Sequence, residues 1–313
     1  MTTPPTPAPA AAGLDLPSGP SAGPDLPSGP SAGPDLPSGP LVGADWLAAR
    51  LGTPGLVLFD ASVGEHRGAP RRIPGARPFD LDGELSDHDA ALPHTMPGPE
   101  AFTEALRALG VDDTSTVVVY DGAGIYSSAR AWWMLRAMGF DRAAVLDGGL
   151  PAWAAAGLPV EETPAAYEGP RGGFTARPRP GLIVDSAAVT AALADPEALV
   201  LDARTRGRFA GTAPEPRPGL RGGHMPGAAN LPFGELQRDG LMRPRAELRA
   251  AFDALAAGRR RLYFSCGSGV TACVLALGAD LAGYRDLAVY DGSWSEWGLP
   301  SQLPVASGEG GSP

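Results

Sequence analysis

Six consecutive residues, Cys266-Gly267-Ser268-Gly269-Val270-Thr271, combine a nucleophilic side chain with the kind of backbone that activates it. An apolar run, Leu262-Tyr263-Phe264, precedes them, and a helix-like segment from Ala272 to Leu277 follows. The pattern predicts a strand, a tight loop and a helix, with the cysteine as the first loop residue. Glycines at 267 and 269 let the loop curl so that successive backbone N–H groups turn inward. The start of the helix adds unpaired N–H groups and the positive end of its dipole. A cysteine held there is stabilised as the thiolate, its reactive form. No Lys or Arg stands in the loop, so that stabilisation must come from backbone and hydroxyl groups. The expected chemistry is covalent attack on sulfur or another soft electrophile.

The elements that must position this loop come from the rest of the chain. A length of 313 residues suggests about two domains. An apolar share of 43% is enough to build cores. A formal charge of −10 argues against nucleic acid or an anionic membrane surface as partner. It also requires local arginines to catch any anionic substrate. No apolar run approaches the ~20 residues that span a bilayer, and Met1-Thr2-Thr3-Pro4-Pro5 does not begin like a secretory signal. Cys266 and Cys273 make no disulfide framework and read as reduced thiols of a cytoplasmic protein. Cys273, seven residues beyond Cys266, is expected in the core. His66, His88, His94 and His224 lack ligand spacing, so neither metal nor cofactor is expected.

Residues 1–40 read as a disordered tail: Leu16-Pro17-Ser18-Gly19-Pro20 recurs at Leu26 and Leu36 with almost nothing to bury. Residues 305–313 read as a second tail. Between them lies a longer repeat. Leu56-Val57-Leu58-Phe59-Asp60-Ala61 matches Leu199-Val200-Leu201-Asp202-Ala203, and Ile73-Pro74-Gly75-Ala76 matches Met225-Pro226-Gly227-Ala228. Val117-Val118-Val119-Tyr120-Asp121 matches Leu262-Tyr263-Phe264-Ser265-Cys266, and Asp147-Gly148-Gly149 with Trp153 matches Asp291-Gly292-Ser293 with Trp297. The offsets are 142 (202 − 60), 152 (226 − 74), 145 (266 − 121) and 144 (297 − 153). Four motifs in one order mean an internal duplication. Short apolar strands alternate with helix-like patches at 101–109, 129–138, 248–256 and 272–281, which predicts α/β units with parallel sheets covered on both faces. Reactive groups in such sheets gather at the carboxyl ends of strands, where Cys266 stands. The expected division is 41–160 for the first unit, 161–182 for a linker and 183–304 for the second unit. Five of the six tryptophans, Trp132, Trp133, Trp153, Trp294 and Trp297, are expected to pack in the core or between the units.

Residues 41 to 304 resemble a tandem-rhodanese sulfurtransferase, and the loop from Cys266 to Thr271 resembles the 3-mercaptopyruvate branch of that family. Asp202-Ala203-Arg204, Gly207-Arg208-Phe209, Pro214-Glu215-Pro216-Arg217, Gly223 to Asn230 and Asp291 to Trp297 are further landmarks. The resemblance implies two rhodanese-like domains, the first inactive, with Asp121 where the second has Cys266. It implies that Cys266 takes sulfur from 3-mercaptopyruvate as a persulfide, releases pyruvate and passes the sulfur to a thiol, such as that of a thioredoxin-like protein, or to cyanide. By the same resemblance Arg208 and Arg217 hold the substrate carboxylate, and Gly267, Gly269, Val270 and Thr271 contribute loop amides. Ser268 is expected to hydrogen-bond the substrate or pass a proton, and Asp60 to orient Ser268 or a histidine. Where the family often has a histidine before Ile-Pro-Gly-Ala, Arg71-Arg72 stand here, so a histidine-assisted relay is not carried over and Arg72 is expected to add positive potential to the cleft. Thiosulfate as donor is disfavoured by the uncharged loop. A cysteine phosphatase would need His before the cysteine and Arg six positions after it, where Ser265 and Ala272 stand. A non-catalytic sulfur carrier is disfavoured by the intact loop and the arginines.

Overall fold

The computed structural model describes residues 1–4, 39–163 and 165–308. Most of the expected N-terminal tail and the last five residues lie outside that range. Two five-stranded sheets form the body of the molecule. In the first, the strand order is Leu41–Val42, Ala143–Leu146, Thr116–Tyr120, Leu56–Asp60 and Arg77–Pro78. In the second it is Ile183–Val184, Asp286–Tyr290, Arg261–Ser265, Ala198–Asp202 and Ala229–Asn230. Every neighbouring pair in both sheets is parallel. The two units therefore share one topology, which gives the repeat a physical form. The register makes the match residue by residue. Asp60 lies opposite Tyr120, and Asp202 lies opposite Ser265, so Asp121 and Cys266 are the first residues beyond equivalent strands.

The sequence favours these strands because their residues are β-branched or apolar on both faces. Thr116–Tyr120 and Ala198–Asp202 are buried at every position. Helices cover both sides, and the helix after each equivalent loop, Ser128–Ala137 and Ala272–Ala282, is almost wholly buried. These two helices pack against each other. One apolar cluster runs through both units, with Trp133 and Met134 of the first and Leu275 and Leu277 of the second among its members. Trp133 also donates to the carbonyl of Leu182 at 3.0 Å. Trp153 and Trp297 close the same turn in each unit, donating to Pro159 and Pro304.

The stretch expected as linker is laid along the first unit. Glu161–Glu162 pairs antiparallel with Arg71–Arg72. Farther on, the N–H groups of Gly172, Phe174, Arg177 and Arg179 donate to carbonyls of Arg107, Val111, Met138 and Ala137. Phe174 is buried edge-on between Phe102 and Phe140. A Cβ on Gly172 would lie 2.0 Å from the carbonyl oxygen of Val111, so the close backbone approach requires glycine. The C-terminal segment also docks: Ala306 exchanges both backbone hydrogen bonds with His224.

Candidate active site

The loop after strand Arg261–Ser265 is held from outside. The carbonyl of Cys266 accepts from Trp294 N–H, and that of Gly267 accepts from Ser295 N–H and Oγ–H, at 3.0, 2.8 and 2.7 Å. The Cys266 N–H donates to Ser293 Oγ at 3.1 Å. Among the described residues, no N–H from Gly267 to Thr271 donates to another part of the chain. The equivalent first-unit loop shows what such a turn does with an anion. The Asp121 carboxylate accepts from the N–H groups of Ala123, Tyr126, Ser127 and Ser128 at 2.8 to 3.0 Å. The second unit thus keeps an anion cradle with a cysteine at its mouth. Cys266 is free, only 1% exposed, and opens onto a cavity of about 430 Å³.

The first unit supplies one wall of that cavity. His94 Nδ1 lies 3.0 Å from Ser268 Oγ, and Nε2 lies 2.7 Å from Asp82 Oδ1. A carboxylate only accepts, so Nε2 carries the proton and Nδ1 is left to accept from Ser268. Burial lowers the His94 pKa below the usual imidazole value, opposed by Asp82 and reinforced by the nearby cations Arg217 and Arg130. The imidazole is therefore neutral near pH 7. Tyr126 lines the same cavity, its ring edge-on to Phe233 at 5.5 Å. Burial raises its phenol pKa, with the nearby Cys266 adding to the effect, so it stays protonated.

Arg208 and Arg217 both reach the cavity, but their surroundings differ. Arg208 Nη2 is 2.6 Å from Glu215, whose other oxygen takes Arg204 at 2.7 Å, and Arg204 in turn pairs with Asp202 at 2.6 Å. Arg204 also stacks over Trp294 at 4.0 Å. Two arginines and two carboxylates balance to zero charge. Arg217 has no carboxylate partner among the described residues; its one side-chain hydrogen bond is a 3.5 Å contact to Ser295 Oγ. The balanced network fixes Arg208 in place, and Arg217 brings a positive charge that no carboxylate neutralises among the described residues.

The sequence matches the family of the Rhodanese-like domain twice, over residues 43–156 and 185–299. The chain belongs to the rhodanese family. It is 41% identical over 272 residues to the 3-mercaptopyruvate sulfurtransferase of Escherichia coli K12, covering 84% of this chain and 96% of that one. It is 40% identical to Thiosulfate/3-mercaptopyruvate sulfurtransferase 1 of Arabidopsis thaliana, a mitochondrial protein, over 86% of this chain and 78% of that one. The crystal structure of SseA from Escherichia coli superimposes with a TM-score of 0.71 at 38% identity, covering 83% of this chain and all of that one.

Within this tandem rhodanese, Cys266, Gly267, Ser268, Val270, Thr271, Arg208 and Arg217 meet at one cavity. Gly269 does not line it. A Cβ there would stand 2.8 Å from the Asp291 carbonyl oxygen and 3.4 Å from Arg130 Nη1, and φ is +76°, so glycine serves the join between the units. Asp60 is elsewhere. Its carboxylate takes Ser62 Oγ–H at 2.5 Å and the Ser62 N–H at 3.0 Å, with Tyr120 OH at 3.3 Å. Ser62 in turn accepts from Gly122 N–H in the Asp121 loop. Asp60 therefore orients a serine of its own unit rather than Ser268, and burial raises its pKa. Arg72 is also outside the cavity, paired with Glu161 at 2.7 Å and bonded to Ala76 and Thr163. A histidine relay does exist, through His94 and Asp82, neither of which the motifs marked.

Proposed function

We propose that this rhodanese takes the sulfur of 3-mercaptopyruvate onto Cys266 and delivers it to a thiol. The observation that carries this reading is the meeting of a cysteine loop, an arginine without a carboxylate partner and a neutral Ser268–His94 pair at one cavity. Arg217, with Arg208 beside it, suits the donor's carboxylate, since guanidinium binds it through paired N–H groups. The Cys266 thiolate attacks the thiol sulfur of the donor. The carbon–sulfur bond breaks, and its electron pair leaves on carbon as the enolate of pyruvate. Cys266 then carries a protonated persulfide. That proton moves to the enolate carbon, with Ser268 and His94 as the relay, so pyruvate departs and the persulfide anion rests against the loop amides. Attack by an acceptor thiolate on the outer sulfur restores the Cys266 thiolate and leaves the acceptor as a persulfide. A thioredoxin-like dithiol in a reducing, cytoplasmic setting is the acceptor class this chemistry favours.

Sulfur transfer to cyanide tests the reading, with mercaptopyruvate and thiosulfate compared as donors. The expected result is a much larger kcat/KM for mercaptopyruvate, abolished in Cys266→Ser. A preference for thiosulfate would keep the persulfide but remove the carboxylate argument. Activity retained in Cys266→Ser would overturn the mechanism.

A further inference from the structure

An ion pair that takes no part in the chemistry above lies behind the catalytic loop and joins the two units. Arg130, on helix Ser128–Ala137 of the first unit, is completely buried, and its Nη2 is 2.6 Å from Asp291 Oδ1. Asp291 directly follows the second-unit strand Asp286–Tyr290. The same Nη2 donates to the carbonyl of His94 at 2.8 Å. The other oxygen of Asp291 accepts the N–H of Met96, also at 2.8 Å. One ion pair therefore grips the backbone on both sides of Thr95. His94 has φ of 58°, the left-handed region that a residue with a Cβ adopts only when its surroundings hold it there. From that backbone its ring spans Asp82 and Ser268.

Stability is a poor account of this pair. Nε and Nη1 of Arg130 are buried without a well-formed hydrogen bond among the described residues, the weakly accepting Cys273 thiol being the polar group beside them. A buried charge with unused donors contributes little or costs stability, compared with apolar packing of the same volume. Its geometry is more informative. Asp291 meets the catalytic loop through its carbonyl at Gly269 and meets the His94 segment through its carboxylate. We propose that Arg130 and Asp291 are positioning residues that fix His94 on Ser268, so that the second unit's loop works only when docked on the first. This rests on the reading that Ser268 and His94 move the proton.

A double-mutant cycle in the full chain tests it, with kcat and KM for mercaptopyruvate measured beside thermal melts. His94→Ala alone should lower kcat. Arg130→Gln should lower kcat by about 10²-fold, the scale set by a misplaced catalytic group, with a far smaller change in KM. In the His94→Ala background the same substitution should change kcat less than about twofold, because the two act as one unit. Arg130→Lys, which keeps the charge, should recover part of the rate. Multiplying effects in the double variant, or normal kcat in folded Arg130→Gln, would overturn the proposal while leaving the proton reading intact. Unchanged kcat in His94→Ala would remove the proton reading and this proposal with it. Should Arg130→Gln not fold, Asp291→Asn carries the same cycle, since it is isosteric and keeps an oxygen for only one of its two partners.

Discussion

Arg208 and Arg217 lie nine positions apart (217 − 208) and face one cavity, but their surroundings give them different roles. Arg208 belongs to a neutral cluster with Glu215, Arg204 and Asp202, and removing it leaves three buried side chains with net negative charge. Arg217 belongs to no such cluster. Arg217→Ala should therefore lower kcat/KM for mercaptopyruvate by about 10- to 10²-fold, the loss of a hydrogen bond to a charged group, while leaving Tm near the wild-type value. Arg208→Ala should lower both kcat/KM and Tm. Steady-state rates and thermal melts on the two variants separate the roles, and equal Tm values would count against the cluster argument. Cys273 is a further contrast at this scale. It is fully buried, its thiol is pushed up to about 12 by that burial, and it donates to the carbonyl of Gly269, so it packs where Cys266 reacts.

The segments between the strands carry more of the design than their composition suggests. The described residues between 161 and 182, rich in Pro, Gly and Glu, bind the first unit through the Glu161–Glu162 strand pairing, four further backbone hydrogen bonds and the buried ring of Phe174. Phe174→Ala should cost about 3–5 kcal/mol of stability, read as a lower Tm, with kcat at 25 °C unchanged; a Tm within a degree of wild type would mean the segment is not held there. The strands and the Cys266 loop were legible in the sequence because their signals are local: apolar runs, a glycine-spaced turn and their repetition in the second unit. His94 and Asp82 were not. Their partner Ser268 lies 174 residues from His94, and the segment carrying them has no counterpart among the repeated motifs. Asp60 misled for the opposite reason. Its match to Asp202 marks a strand end, and a strand end in the first unit serves that unit's own loop through Ser62.

At the scale of the whole molecule the two units are joined through their cores. Its largest apolar cluster includes both units, and the Arg130–Asp291 and Arg136–Asp280 pairs cross between them. Urea unfolding followed by tryptophan fluorescence should give a single transition, coincident with loss of activity; two separated transitions would show units that fold independently. The duplication was readable in advance, and so was a first copy with Asp121 in place of Cys266, but which first-unit side chains reach the cavity was not, because that depends on which face of each unit meets the other. Asp121 shows how far that division goes. Through the proposed catalytic cycle the Cys266 loop would accommodate a bare sulfur, then two, then one again. The Asp121 loop never changes its cargo, because its own carboxylate fills it permanently. The half of the molecule that presents His94 and Tyr126 thus has no nucleophile in its own loop and, on the proposed cycle, lends side chains to a partner half that is reloaded at every turnover.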